Sequence, residues 1–436
     1  MKALPLKMCK LITGLLTVLI FRYGNAEGKD VNPFGLTLGG AGLSTQQRIS
    51  LANDLGVVYF RPWAVFLDKW DGRHEDTEAF KSAGFKIIMT VRNNGTGAPQ
   101  YVPTTPPSDT SVYKKTLGEV LDKYHPELLV VENEENSSIF YTGTPEEYAV
   151  ELSAAVEVAH SKGIKCTNGG MVSGLVALLV WDNYMQSGDT TSAWDFAQRA
   201  FSSSEIQILR SPTPTQKQQI DAQLDKGKRL LNVYRTSGID YVNFHWYIAD
   251  SMAFGEAAKF LHSATDLQPI TNEMGQRDLS PNTVVQLLTK VVELNLAYAV
   301  WYSIDTYSGG DTTAYALQNP DGTLRQNGRA FRDFIRSLTS VEDGSRVHPE
   351  EFRLYQNYPN PFNPTTTIRF SLPRREHTML KVFDVLGREI KTLVDGELNF
   401  GEHSVVFDAK NLPSGVYFYR LGTPTFSQTK SMGVLK

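Results

Sequence analysis

Cysteine is nearly absent. The 436-residue chain carries two, Cys9 and Cys166. No disulfide framework can be built from them, so stability has to come from a large apolar core. Charge of one sign is missing as well: 43 Lys and Arg stand against 47 Asp and Glu, a formal net charge of −4. That balance leaves no basic footprint for nucleic acid or for an anionic membrane surface. Metal-ligand spacings such as HxH or HExxH are lacking, so neither a metal nor a cofactor is expected. There is no GxSxG nucleophile turn and no phosphate loop. The most apolar run near the N-terminus, LITGLLTVLIF at 11–21, falls short of the roughly 20 residues of a spanning helix.

What is present divides the chain into parts. Lysines 2, 7 and 10, the apolar run, and the small residues Gly24 and Ala26 follow the order of a secretory leader, expected to be removed after Ala26. Residues 27–338 read as repeated strand-then-helix units. The strands are FGLTLGG (34–40), VVYFRPW (57–63), FKIIMTVRNNG (85–95), ELLVVENEEN (127–136), IKCTNGGMVSG (164–174), YVNFHWY (241–247), QPITNEMG (268–275) and LAYAVWYSID (296–305). Helices between them carry explicit caps: Ser44 opens STQQRISLANDLG, which Gly56 stops, and Thr144-Pro145 opens a helix that Gly163 ends. Eight such units over about 310 residues predict an α/β fold, a (β/α)8 TIM barrel. An open doubly wound sheet is the alternative, but no glycine-rich turn follows the first strand. The long gap at about 175–240, with Trp181 and Trp194, is expected to be a functional loop or lid. A polar linker spans 339–351, and residues 352–436 alternate short β-branched and aromatic runs with Pro, Gly, Asn and Asp, the pattern of a small all-β sandwich.

One stretch of the barrel stands out. In LLVVENEEN (128–136) an apolar run passes directly into Glu132, Glu134 and Glu135. An unpaired buried carboxylate is costly, so these groups reach water, find partners, or serve the site. Barrel active sites form at the C-terminal strand ends. Those ends offer Arg61 and Trp63, then Asn133, Glu134 and Glu135, then His245, Trp246 and Tyr247, then Asn272 and Glu273, and finally Trp301, Ser303 and Asp305. Two carboxylates on the fourth and seventh strands are what a retaining glycosidase needs: an acid/base and a nucleophile about 5–5.5 Å apart. The acid must hold a proton when it donates, and the nucleophile must stay ionised.

The joint order of these residues resembles the clan A glycoside hydrolases. The resemblance implies Glu134 as acid/base, Asn133 on the sugar 2-hydroxyl and Glu273 as nucleophile. It implies Arg61 and Tyr247 as supports of the nucleophile, with His245 beside them, and Trp301 as a sugar platform. Members commonly have Pro after the acid/base; here it is Glu135, either an added negative charge near Glu134 or a residue facing solvent at the rim. Glu132 is expected to pack against a basic or polar neighbour inside the barrel. Each residue alone has a plain structural reading, as rim carboxylate, satisfied core histidine, core tryptophan or salt-bridge arginine. The weight lies in the order of all of them together.

YQNYPNPFNPTTTIRFSLP (355–373), VFDVLGREIKTLVDG (382–396), LPSGVYFYRL (412–421) and the basic tail TKSMGVLK are similar to the type A C-terminal sorting domain of the type IX secretion system. That resemblance implies an outer-membrane translocon as partner and a secreted or cell-surface protein. A carbohydrate-binding module is the alternative for this sandwich. Taken together, the expectation is a secreted, monomeric, retaining glycosidase acting on a carbohydrate substrate. The alternative is a non-catalytic glycan-binding barrel exported by the same route.

Overall fold

A computed structural model of the chain describes residues 32–39, 43–97, 101–304, 316–319, 321–339, 352–357, 359–374, 376–398 and 401–435. The expected leader at 1–26, Asp305 and all of the expected linker except Thr339 lie outside the described residues.

Eight parallel strands close into a barrel: β1 (Phe34–Thr37), β2 (Tyr59–Arg61), β3 (Lys86–Arg92), β4 (Leu128–Val131), β5 (Lys165–Asn168), β6 (Tyr241–Trp246), β7 (Gln268–Met274) and β8 (Ala299–Trp301). Closure is explicit in the register, with Phe34 of β1 opposite Ala299 of β8 and Tyr59 of β2 opposite Lys86 of β3. A two-residue ribbon, Val65–Phe66, adds to the far end of β3, pairing with Val91 and Arg92. The surrounding helices are α1 (Thr45–Leu55), α2 (Glu75–Ser82), α3 (Thr110–Tyr124), α4 (Pro145–Ser161), α5 (Ser173–Gln186), α6 (Thr190–Ala200), α7 (Ser203–Arg210), α8 (Pro214–Thr236), α9 (Ser251–Thr265), α10 (Pro281–Glu293) and α11 (Gln326–Thr339). Local sequence explains their starts. Ser44 and Gln47 form a reciprocal capping box on α1, and Gly56 takes φ 76° to end it. Thr144 and Glu147 do the same on α4, with Pro145 at the first helical position.

Period-two alternation sorts the strand residues into two cores. Leu128 and Val130 of β4 join Tyr59, Ile88, Ile270 and Val300 inside the barrel. Leu129 and Val131 point the other way, into the layer between strands and helices. A strand buried on both faces therefore reads LLVV without alternation. Gly35 is required where β1 meets β2, because a Cβ there would lie 2.8 Å from the Tyr59 Cβ.

The expected lid at 175–240 is instead part of the helical jacket. Residues 173–236 form α5 to α8, and α5 and α8 bury Leu175, Leu179, Leu230 and Tyr234 in the outer core. Trp181 and Trp194 meet edge to face at 5.8 Å. The reason lies in the sequence: SGLVALLVW and the apolar stripe of α8 are core faces, and burying them against neighbouring helices outweighs exposure over a cavity.

The C-terminal part is antiparallel. It holds β9 (Arg353–Leu354), β10 (Thr365–Leu372), β11 (Glu376–Phe383), β12 (Glu389–Leu398), β13 (Gly401–Asp408), β14 (Gly415–Gly422) and β15 (Ser427–Val434). Strands β9-β10-β13 make one sheet and β12-β11-β14-β15 the other, and the two share a core of Ile368, Phe370, Leu380, Val382, Tyr419 and Met432. The proline-rich lead-in docks on the last strand: Phe362 N donates to Gly433 O at 2.9 Å, and Gly433 N donates to the Asn360 side chain at 2.8 Å.

Candidate active site

The same alternation decides what reaches the barrel mouth. On β2, Tyr59 faces inward and Phe60 outward, so Arg61 returns to the inside. On β6, Val242, Phe244 and Trp246 lie in the outer core, which leaves Asn243 and His245 on the inner face. β7 breaks the alternation. Asn243 pairs with Ile270, yet His245 pairs with Glu273, so β7 carries one extra residue in this interval. Such a bulge re-aims side chains. It lets the consecutive residues Asn272 and Glu273 both contact the inner side.

Arg61 organises the centre. It is 7 % exposed; its Nη1 donates to Glu273 Oε2 at 2.6 Å, its Nη2 to Asn133 Oδ1 at 2.6 Å and its Nε to Thr90 Oγ1 at 2.9 Å. The Tyr247 hydroxyl donates to the other Glu273 oxygen. Burial pushes the Glu273 carboxyl up, but the charges of His245 and Arg61 and the hydrogen bonds of Tyr247 and Arg61 outweigh it. The group is held below its ordinary value. His245 is fully buried, and its Nδ1 lies 2.8 Å from Glu134 Oε1 and 3.7 Å from Glu273 Oε1. Burial lowers its pKa, and the charge of Glu273 together with the hydrogen bond and charge of Glu134 raises it further than burial lowers it. Gly170, at φ 106°, makes room for the ring, since a Cβ there would lie 2.3 Å from Nε2.

A ladder of buried amides holds the histidine from behind. His245 Nε2 lies 3.0 Å from Asn272 Oδ1, which also accepts from Asn243 Nδ2 at 2.7 Å. Asn243 in turn donates to Asn168 O at 3.0 Å, and its own amide nitrogen donates to Asn168 Oδ1 at 2.7 Å. With Asn272 Oδ1 as the acceptor, the proton sits on Nε2, and Nδ1 is the atom that shares a proton with Glu134.

The three acidic residues of LLVVENEEN part company. Glu132 is fully buried and accepts from Thr104 Oγ1 at 2.6 Å, Asn93 N at 2.7 Å and Arg92 Nε at 3.4 Å, in line with the expected polar packing. Glu134 lines a cavity of about 810 Å³, within the range of about 300–1,000 Å³ common for ligand pockets. Glu135 is not the rim residue expected. It is 1 % exposed, and its Oε1 accepts from Asn168 Nδ2 at 2.9 Å and from the Tyr234 hydroxyl. Burial pushes its pKa up against those hydrogen bonds. Helix α8 supplies Tyr234, a long-range partner that no local pattern announces. Glu132 and Glu134 both take positive φ, 68° and 45°. The chain leaves β4 through left-handed backbone there, at a cost of about 1–3 kcal/mol for each such residue.

Trp301 does not line the cavity. It is 1 % exposed and packs on Phe331 of α11, ring centres 5.6 Å apart. Val300 belongs to the interior core, so alternation turns Trp301 outward, and Tyr302 lines the cavity instead. Arg61, Asn133, Glu134, Tyr247 and Glu273 line it together, and His245 lies directly beneath them. Sequence reasoning overlooked Tyr302, Tyr101, Arg92 and Arg277 as lining residues. For Tyr302 the signal existed, because Tyr298, Val300 and Tyr302 share one parity.

Ligand atoms of Glu134, His245 and Glu273 lie within 4.8 Å of one another, a grouping that could hold a metal ion. The donor set does not fit one. Both Glu273 oxygens already accept hydrogen bonds, one of them from a guanidinium at 2.6 Å whose charge opposes a cation.

Comparison with known families gives a match over residues 356–434 to the secretion system C-terminal sorting domain. Residues 356–434 are a sorting domain of that family. The sorting domain marks the chain for export to the cell surface or beyond it. No curated protein matches the chain. Among solved structures, the chain is similar to the endo-β-1,4-mannanase of Thermotoga petrophila, with a TM-score of 0.49 and 13 % identity over 93 % of this chain and 98 % of that one. A GH128 exo-β-1,3-glucanase of Aureobasidium namibiae gives 0.43 and 14 % over 69 % and 96 %, and a GH128 endo-β-1,3-glucanase of Amycolatopsis mediterranei gives 0.41 and 14 % over 69 % and 99 %. These structural neighbours are glycoside hydrolases, and likeness of this degree carries no argument about the activity of this chain.

Proposed function

We propose that the barrel is a glycoside hydrolase that cleaves O-glycosidic bonds of an oligo- or polysaccharide with retention of configuration. The observation that carries this is the pair Glu134 and Glu273, joined through His245 Nδ1, with facing oxygens within 4.8 Å. An inverting pair stands about 6.5–9.5 Å apart to admit water, and a retaining pair about 5–5.5 Å. Glu273, ionised and supported by Arg61 and Tyr247, attacks the anomeric carbon. Glu134 gives its proton to the departing glycosidic oxygen, and the C–O bond breaks as the glycosyl–Glu273 ester forms. Glu134, now a base, takes a proton from water, which displaces Glu273 and regenerates both groups. His245 Nδ1, 2.8 Å from Glu134 Oε1, orients that carboxyl for both steps. Asn133 accepts from Arg61 through Oδ1, which fixes its amide and leaves Nδ2 for a sugar hydroxyl. Tyr302 lines the cavity beside Tyr247, ring centres 6.0 Å apart.

The sorting domain supports a type IX route. We further propose a leader at 1–26, a linker at 339–351 and release or surface attachment of the barrel after export. The reading is tested by screening the full-length protein on a glycan panel and following the first anomer released by proton NMR. Retention is expected, and Glu134→Gln and Glu273→Gln should each lower the rate by several orders of magnitude. Unchanged turnover in both variants would end the proposal.

A further inference from the structure

One wall of the cavity is not used by the chemistry above. Trp63 lies two residues beyond Arg61, lines the cavity, and is 39 % exposed. No hydrogen bond or ring contact engages its indole among the described residues. An isolated exposed tryptophan is unremarkable; this one stands in a group. Phe66, Tyr101 and Phe140 line the same cavity, and Tyr101 meets Phe140 edge to face at 5.4 Å. Behind them the Arg92 guanidinium lies 5.2 Å from the Phe66 ring centre and 5.9 Å from that of Phe140. Its Nε is spent on Glu132 and its Nη2 on Phe140 O at 2.7 Å. Nη1 has no hydrogen-bond partner among the described residues, and Arg92 is a lining residue. The wall therefore presents a flat apolar face, a second ring and a fixed donor, continuous with the site of the two carboxylates.

We propose that Trp63, Tyr101 and Arg92 form a subsite for a second sugar ring of a glycan chain whose reacting ring lies between Glu134 and Glu273. A pyranose has the matching chemistry: C–H groups on its face for the indole, and hydroxyls at its edge for Arg92 Nη1. Tyr101 is placed edge-on by Phe140, so its ring closes the subsite without rearrangement, which limits the ordering cost of binding. The substrate class that follows is a chain of at least two rings rather than a glycoside of one sugar. This inference rests on the glycosidase reading for the placement of the reacting ring.

The test measures binding, so that it does not depend on turnover. Full-length Glu273→Gln protein is titrated by calorimetry with a panel of α- and β-linked oligosaccharides of increasing ring number. Affinity should step up by about tenfold, or roughly 1.4 kcal/mol, when the second ring is added. Adding Trp63→Ala should remove that step, and Trp63→Phe should restore most of it. A step that survives Trp63→Ala overturns the subsite, as does the absence of any step or of any binding in the Glu273→Gln background. Failure of the catalytic reading looks different: the step with ring number is present, and the parent protein releases no sugar from the same oligosaccharides.

Discussion

The two ends of the barrel interior are built from the same strands and obey opposite rules. Toward the N-terminal ends, Ile88, Leu128, Val130, Ile270 and Val300 fill the barrel with aliphatic side chains, with Tyr59 and Tyr298 beside them. Toward the C-terminal ends, Arg61, Asn168, Asn243, His245 and Asn272 occupy the inward positions, and every one of them is buried. The lower layer needs only volume and shape. The upper layer needs a partner for almost every polar atom, because a buried unpaired donor or acceptor costs about 1–3 kcal/mol. The contrast separates a core of volume and shape from the proposed site, on a single set of strands.

Four substitutions test that contrast, in order of decreasing effect. Glu273→Gln, at the upper end, should lower kcat by about 10³-fold or more while the thermal transition moves little, as read by glycan hydrolysis and calorimetry. Leu128→Ala, at the lower end, should cost about 2–5 kcal/mol of stability in denaturant titration and leave kcat per folded molecule near the parent value. Equal loss of rate from Leu128→Ala would erase the distinction between the two ends.

Arg61→Met tests the electrostatics of the upper layer. Glu273 is held below its ordinary value, so its ionised form, the proposed nucleophile, persists as pH falls through the ordinary carboxylate range. Removing the guanidinium should move the acidic limb of kcat/KM upward by about one to three units, the usual influence of one adjacent opposite charge. The same linkage adds stability to the parent above the unfolded pKa, and that stability is lost as pH falls through the folded pKa. An acidic limb that stays in place would remove Arg61 from its supporting role.

Glu135→Gln gives the smallest and most selective effect. Its folded pKa is raised above the ordinary 4.5 mainly by burial. The folded state therefore keeps a proton that the unfolded state releases, and stability falls as pH rises from about the unfolded value through the folded one. A neutral glutamine should flatten that part of the stability–pH curve, by an amount denaturant midpoints at a series of pH values can read. A curve unchanged in slope would mean that Glu135 does not titrate separately.

Much of this was legible in the sequence. The caps at Ser44 and Thr144, the stop at Gly56 and the strand order follow from local chemistry that acts within a few residues. The sorting domain is legible for the same reason, since its proline-rich lead-in and basic tail are contiguous motifs. Trp301 stands opposite in parity to Tyr298, Val300 and Tyr302, and because residues of both parities there are apolar or aromatic, the pattern groups them without marking which set faces inward. Glu135 was misread because its partners, Asn168 and Tyr234, arrive from 33 and 99 residues away.

Period-two and helical patterning is written locally in the chain, and with it eight strands whose inner ends carry arginine, asparagine, histidine and glutamate. Which carboxylates meet is decided only in three dimensions. An added residue in β7 turns Glu273 toward Arg61, Tyr247 and His245, and left-handed backbone at Glu132 and Glu134 sends one glutamate into the protein and the next into the cavity. Local propensity acts through neighbours in the chain, whereas charge pairing and burial act through neighbours in space. Those neighbours exist only once the barrel has closed.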